Sequence, residues 1–237
     1  MHLTNIHLLS DKYPTREKYP FTLDFLWQTP SVTFDTPVTF FIGENGTGKS
    51  TLLKAITRRC GVYIWANEET RRFQFNRFED KLHHCLEITW ADEPVPGAFF
   101  ASEHFQFFAE CLDDWAVSDP GSLKYFGGQS LLTQSHGQSL MSYFGSQFRR
   151  KGVFFLDEPE TALSPTRQLE LLRLLIDAGQ IGQSQFIIAT HSPILMSCPG
   201  ATIYSFDATP LQKVAYEDTE HYRVYKEFMA DPGKFTA

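Results

Sequence analysis

The stretch from Val38 to Ile56, VTFFIGENGTGKSTLLKAI, constrains the fold more than any other part of the chain. It reads as a buried strand over Val38 to Ile42, a glycine-rich turn, and a helix whose Leu52, Leu53 and Ile56 share one face. Gly43, Gly48, Lys49 and Ser50 fit the phosphate-loop pattern GxxxxGK[ST] in the strand-to-helix context that the pattern requires. Glycines let backbone N–H groups close around phosphates. Lys49 can reach the β and γ phosphates of a nucleotide, and the Ser50 hydroxyl can hold magnesium. The helix start adds unpaired donors and the positive end of its dipole. Gly43, Glu44, Asn45, Gly46, Thr47, Gly48, Lys49, Ser50 and Thr51 therefore form the candidate nucleotide-binding loop.

A second constellation follows a second apolar run. Val153 to Leu156 suits a strand buried on both faces of a parallel sheet, and it ends in Asp157 and Glu158. Ligands of open α/β sheets bind beyond the carboxyl ends of the strands, which is where these acids fall. Asp157 is then a metal ligand alongside Ser50, and Glu158 the base that orients or deprotonates an attacking water. A third strand, Gln185 to Ala189, runs directly into Thr190 and His191, and a histidine at that edge is positioned to sense a γ phosphate. Between these stretches, QSHGQSLMSYFGSQF starts with a capping Ser135 and continues with Leu140, Met141, Phe144 and Phe148 as a buried stripe.

Elsewhere the chain predicts strands over Leu3 to Leu9, through Phe21, Leu23 and Phe25, and at Val32 and Phe34, so that an antiparallel layer precedes the phosphate loop. Tyr13, Tyr19 and Phe21 are either adenine-stacking residues or core, with packing the commoner fate of aromatics. Arg16 either approaches a phosphate or is a solvated charge. Further strands are expected at Val62 to Trp65, Leu86 to Trp90 and Ala98 to Ala101, and a helix from Ser102 with Phe105, Phe108, Leu112 and Trp115 inward. A helix over Thr166 to Ala178 should turn Leu169, Leu172, Leu175 and Ile176 inward and stop at Gly179. The tail predicts strands at Thr202 to Phe206 and Leu211 to Tyr216 and a helix near Asp218 to Ala230.

Composition excludes several classes. With 237 residues, 22 Phe and 42% hydrophobic residues the chain is a folded globule rather than a disordered one. A net charge of −7 gives no support to general polyanion binding. The four cysteines form no CxxC pair, which favours reduced thiols and a cytoplasmic location over a disulfide framework or zinc site. No apolar run approaches the roughly 20 residues of a membrane-spanning helix, so no direct membrane insertion is expected.

Taken together, GENGTGKST, QSHGQS, FFLDEPETALS and IIATHSP resemble, in order, the Walker A, signature, Walker B with D-loop and H-switch motifs of the ATP-binding-cassette (ABC) ATPases. Within that superfamily the chain looks most like small stand-alone bacterial ATPases related to the RecF and structural-maintenance-of-chromosomes heads. The resemblance implies an α/β P-loop fold of the ABC type: a mixed, mainly parallel sheet, an N-terminal antiparallel layer and an inserted helical lobe at roughly 60–150, all within one domain spanning 1–237. It implies ATP and Mg2+ as ligands, hydrolysis by Glu158 with His191, and a head-to-tail homodimer in which Ser135, Gly137 and Gln138 of one copy complete the phosphate site of the other. Gln134 and His136 depart from the usual LSGGQ signature, which puts transporter membership in doubt more than ATP binding. The Q-loop position falls on Glu103 by resemblance, although Gln106 is close by. A role in DNA maintenance or defence, with a protein or nucleic-acid partner, is implied by the family alone. The competing readings are a membrane transporter's nucleotide-binding subunit, a binding module with negligible turnover and, less favoured, a phosphoryl-transferring kinase.

Overall fold

The computed structural model describes residues 1–65, 76–119, 121, 123–124, 128–133 and 136–235, without the side chain of His136. In chain order the elements are β1 (Leu3–Leu8), α1 (Asp24–Gln28), β2 (Ser31–Thr33), β3 (Val38–Ile42), α2 (Lys49–Arg59), β4 (Leu86–Trp90), β5 (Gly97–Ala101), α3 (Ser102–Ser118), α4 (His136–Gln147), β6 (Gly152–Asp157), α5 (Pro165–Ile181), β7 (Ser184–Ala189), α6 (Pro193–Met196), β8 (Thr202–Ser205), β9 (Gln212–Lys213) and α7 (Glu220–Ala230).

They form two sheets. One is antiparallel with order β2-β1-β4, so residues 86–90 return to join the N-terminal layer. The other has order β5-β6-β7-β3-β8-β9 and is parallel except for the edge strand β9. Every residue of β3, β6 and β7 is buried, as strands covered on both faces require. Alternation then divides their side chains between two cores. Phe41, Phe155 and Ile187 meet α2 and the antiparallel layer through Leu52, Leu53, Ile56 and Ile6. Phe40, Phe154, Phe186 and Ile188 point the other way, to Phe144 of α4, to Phe148 just after it, and to Leu171 and Leu175 of α5. Gln185 links the sheets: its Oε1 accepts from the N–H groups of His2 and Leu3, at 2.9 and 2.8 Å, and its Nε2 donates to Leu3 O at 2.8 Å. Pairing at both ends of this buried amide is what makes its burial tolerable.

Several local expectations are corrected. Phe21 to Phe25 is a turn leading into α1, not a strand: the neighbouring residues Phe25 and Leu26 are both buried, which a helical turn permits and a half-buried strand does not. The Trp27 indole N–H closes that turn on Phe21 O at 2.8 Å. Val62 to Trp65 pairs with no strand among the described residues; Trp65 packs its ring on Phe108 and Trp115 of α3, with centroids 5.6 and 5.3 Å away. Trp115 itself is 47% exposed. Helix α5 passes Gly179 and ends at Gly182, the residue that adopts the left-handed conformation at φ 75°. Leu169 lies on its exposed face, and Leu171 takes the inward position. The strand expected over Leu211 to Tyr216 reduces to β9, after which the chain turns toward α7.

Candidate functional site

The carboxyl ends of β3, β6, β7 and β8 share one edge of the main sheet. Asp157 pairs in register with Ala189, Ala189 with Phe41, and Ile42 with Ser205. The chain leaves these four strands as the glycine loop, the Asp157–Glu158 turn, Thr190–His191 and Phe206–Asp207.

The loop conformation depends on its glycines. Gly43, Gly46 and Gly48 have φ of 138°, 82° and 101°. At Gly48, the N-cap of α2, an added Cβ would lie 2.7 Å from Leu23 Cδ1 and 2.8 Å from Phe25 Cε1. The turn-and-helix at 21–28 is thus the floor under the loop. Lys49 is 4% exposed, and its ammonium folds back on the loop, donating to Gly43 O at 2.6 Å and Glu44 O at 2.9 Å. Burial lowers its basicity, against the pull of the carboxylates of Glu158, Asp207, Asp157 and Glu44.

Ser50 Oγ donates to Asp157 Oδ1 at 2.7 Å, so two residues far apart in sequence present hard oxygen atoms at one point. Asp157 is buried at the end of β6. Desolvation raises its carboxyl above the ordinary range, although Lys54 and the Ser50 bond oppose this. Lys54 Nζ stands 3.5 Å from Asp157 Oδ2 and 3.2 Å from Glu103 Oε1. Glu103 therefore faces the same cleft from the first turn of α3, whereas Gln106 bonds along that helix to Glu110 at 2.9 Å. The cleft holds about 490 Å³ between Ser50, Lys54, Ser102, Glu103, Asp157 and Glu158.

Glu158 occupies a left-handed conformation, φ 47°, unusual for a residue with a side chain. Its N–H donates to Ala189 O at 2.9 Å, and its carbonyl accepts from the hydroxyls of Ser102 and Thr161, each at 2.9 Å. With its backbone held by three elements, its half-exposed carboxylate sits 3.9 Å from His191 Nε2. Glu160 Oε1 accepts the His191 N–H at 2.6 Å. Burial raises the Glu160 carboxyl despite the bonds it accepts from His191 and the Thr190 side chain.

Of the aromatics, Tyr13 and Phe21 belong to the packed layer, their rings 5.1 Å apart. Tyr19 is 41% exposed and its hydroxyl bonds to Thr51 Oγ1. Arg16 pairs with Asp24 at 3.8 Å and covers the Trp27 ring. Ser135 and Gln134 lie outside the described residues. Gly137 and Gln138 start α4, and a Cβ at Gly137 would meet nothing nearer than Arg167 Cγ at 3.8 Å.

Besides Lys54, three residues of this edge were not singled out by the sequence reading. Asp207 follows β8 and accepts the Glu44 N–H on Oδ1 at 2.8 Å; a Cβ on Gly43 would come within 2.8 Å of the same oxygen. Glu160 and His221 are the others. Asp207 carried the one legible signal, an acid just past a strand end.

Solved structures share this fold. An ATP-binding cassette of an ABC transporter in its ADP conformation aligns over 98% of this chain and 96% of its own, at TM-score 0.54 and 15% identity. The chain has the fold of the ABC ATPases. A structural-maintenance-of-chromosomes head bound to the C-terminal winged-helix domain of ScpA aligns over 79% of this chain and 93% of its own, at TM-score 0.50 and 12% identity. By sequence, residues 21–77 match an AAA domain family, and residues 129–197 match a family described as AAA domain, putative AbiEii toxin, Type IV TA system. The petrobactin import ATP-binding protein FpuD of Bacillus anthracis is 23% identical over 168 residues, 65% of this chain and 62% of that protein. The match thus spans less than two thirds of that relative's length. No helix among the described residues is long and apolar enough to cross a membrane.

Proposed function

We propose that this chain is one ABC-type ATPase unit, with its inserted lobe at roughly 60–150, that binds ATP with Mg2+, hydrolyses it, and closes as a head-to-tail homodimer while ATP is bound. The observation that carries the reading is the convergence of Lys49, Ser50, Asp157, Glu158 and His191 on one sheet edge, with Ser50 Oγ and Asp157 Oδ1 2.7 Å apart. Hard, adjacent oxygens of this kind suit Mg2+, which keeps several waters and takes few protein ligands. Ser50 and Asp157 would hold it; when bound it neutralises charge on the β and γ phosphates.

The other roles follow from chemistry at that edge. The loop from Gly43 to Thr51 offers backbone donors, and Lys49 exchanges its carbonyl partners for phosphate oxygens. Glu158, with its backbone pinned and its carboxylate partly exposed, takes the proton of the attacking water. His191 contacts the γ phosphate, and Glu103 stands in the Q-loop position. Gly137 starts a helix without needing its missing Cβ for contacts within its own chain, which supports close approach by a second copy. Ser135, Gly137 and Gln138 of that copy would complete the phosphate site, and loss of the γ phosphate would reopen the pair.

Phosphate release by the purified chain is the test. Turnover of ATP that needs Mg2+ and stops with EDTA is expected; ATP binding without turnover would reduce the chain to a nucleotide-dependent binding module. The similarity to FpuD favours a second reading, a transporter's nucleotide-binding subunit in the cytoplasm. Stoichiometric co-purification with a membrane protein would support it over a role in DNA maintenance or defence.

A further inference from the structure

The hydrogen-bonding partner of His191 is another histidine, from the far end of the chain. His191 Nδ1 and His221 Nε2 are 3.1 Å apart, their ring centroids 5.3 Å. His221 lies in the first turn of α7, whose N-cap Thr219 is 2% exposed and accepts the Tyr222 N–H at 3.2 Å. Apart from that anchor, α7 contributes no buried residue to the core. The two ring nitrogens on the outer sides of the pair, His191 Nε2 and His221 Nδ1, are buried and have no hydrogen-bond partner among the described residues. Buried polar nitrogens are ordinarily paired, so two unpaired ones on the outer sides of one histidine pair call for a functional explanation.

Resting on the reading of His191 as the γ-phosphate contact, we propose that His221 is its positioning residue: the Nε2–H of His221 donates to His191 Nδ1 and thereby leaves the His191 proton on Nε2, facing the phosphate. A neutral imidazole carries one N–H, and the bond made by one nitrogen dictates the state of the other. Were His191 to donate from Nδ1, its Nε2 would aim a lone pair at an anion. With His221 donating, Nε2 presents a donor. The Glu158 carboxylate, 3.9 Å from His191 Nε2, favours the same arrangement before any nucleotide arrives. The groups acting on the pair are Lys49, Glu44, Asp207 and Glu220, besides Glu158. Burial holds both imidazoles below their ordinary basicity, and Lys49 adds to this, which favours the neutral form of each ring, with one N–H apiece and one of the two lying between them. One consequence is directional. A phosphate that binds His191 Nε2–H strengthens the link to α7, and ADP, lacking that phosphate, does not.

The experiment compares wild type, His221→Ala and His221→Gln; the glutamine amide restores an N–H donor. Nitrogen-15 shifts of labelled histidines in the nucleotide-free protein report the His191 tautomer, and phosphate release reports turnover. Expected are an Nε2–H tautomer of His191 in wild type, its loss in the alanine variant, and its recovery with glutamine. The alanine variant should lose kcat by on the order of ten- to a hundredfold, the range known for removing the hydrogen-bond partner that orients a metal-ligating histidine, with ADP affinity unchanged. Thermal melts control for folding, which α7 contributes little to. An unchanged His191 tautomer in His221→Ala, or glutamine no better than alanine, overturns the inference. Loss of the Nε2–H tautomer in His221→Ala, when the wild type itself releases no phosphate, instead overturns the ATPase reading and leaves the positioning role standing.

Discussion

Lys49→Ala isolates the contribution of one charge to nucleotide binding. The Lys49 ammonium is buried and spends its donors on Gly43 O and Glu44 O, at 2.6 and 2.9 Å. ATP binding must therefore exchange carbonyl partners for anionic phosphate oxygens. A hydrogen bond to a charged group contributes about 1.5–3 kcal/mol, and we take one such contact as the net gain after the exchange. At about 1.4 kcal/mol per tenfold, the variant should bind Mg-ATP about 10- to 150-fold more weakly. Lys49 is also the cation among the carboxylates of Glu158, Asp207, Asp157 and Glu44, so its removal adds repulsion and pushes the effect toward the upper end. Stability should change little, because the lost bonds are offset by relief of a buried charge. Calorimetry at fixed Mg2+, with Lys49→Met as a variant that keeps most of the stem, measures the effect. Wild-type affinity in both folded variants would refute the assignment of this loop.

Gly48→Ala should destabilise the fold by about 2–5 kcal/mol in urea, combining left-handed backbone strain with overlap against Leu23 and Phe25; a loss under 1 kcal/mol would show that the floor of the loop yields. Because burial raises the Glu160 carboxyl, its contribution to stability is full below the ordinary carboxylate range and is lost as pH rises through its raised value. Glu160→Gln keeps an acceptor for the His191 N–H, so its melting temperature should exceed wild type at pH 8, by about 2–4 °C per kcal/mol, and converge with it at acid pH. The reverse trend in thermal scans would contradict this. His191→Ala should cut turnover far more than ADP affinity, and a parallel loss of ADP binding in calorimetry would make the residue structural.

The parts of the site carried by local patterns were readable from the chain. VTFFI, GVFFLD and SQFIIA are strands buried on both faces, and each is followed at once by its polar residues, so Lys49, Asp157 and His191 could be placed at one edge without knowing the strand order. Asp207, Glu160 and His221 acquire their contacts only when β8 comes to lie beside β3, β6 beside β7, and α7 folds back near β7. No periodicity encodes such pairing. The two expected strands that do not form fail for a related reason. Phe21 to Phe25 and Val62 to Trp65 are aromatic-rich and look strand-like, but tertiary packing under the phosphate loop and against α3 overrides that local preference.

The central claim, hydrolysis coupled to closure of two copies, is tested most directly by Glu158→Gln. The substitution keeps the side chain's size and removes its basicity, so phosphate release should fall by about 10²- to 10⁴-fold while Mg-ATP still binds. Light scattering with ATP, ADP and no nucleotide should then show a dimer with ATP alone. Adding Ser135→Arg should abolish it without emptying the Lys49 loop of either copy. A Glu158→Gln protein that stays monomeric at saturating ATP, or an ATP-dependent dimer that tolerates the arginine, would contradict the account.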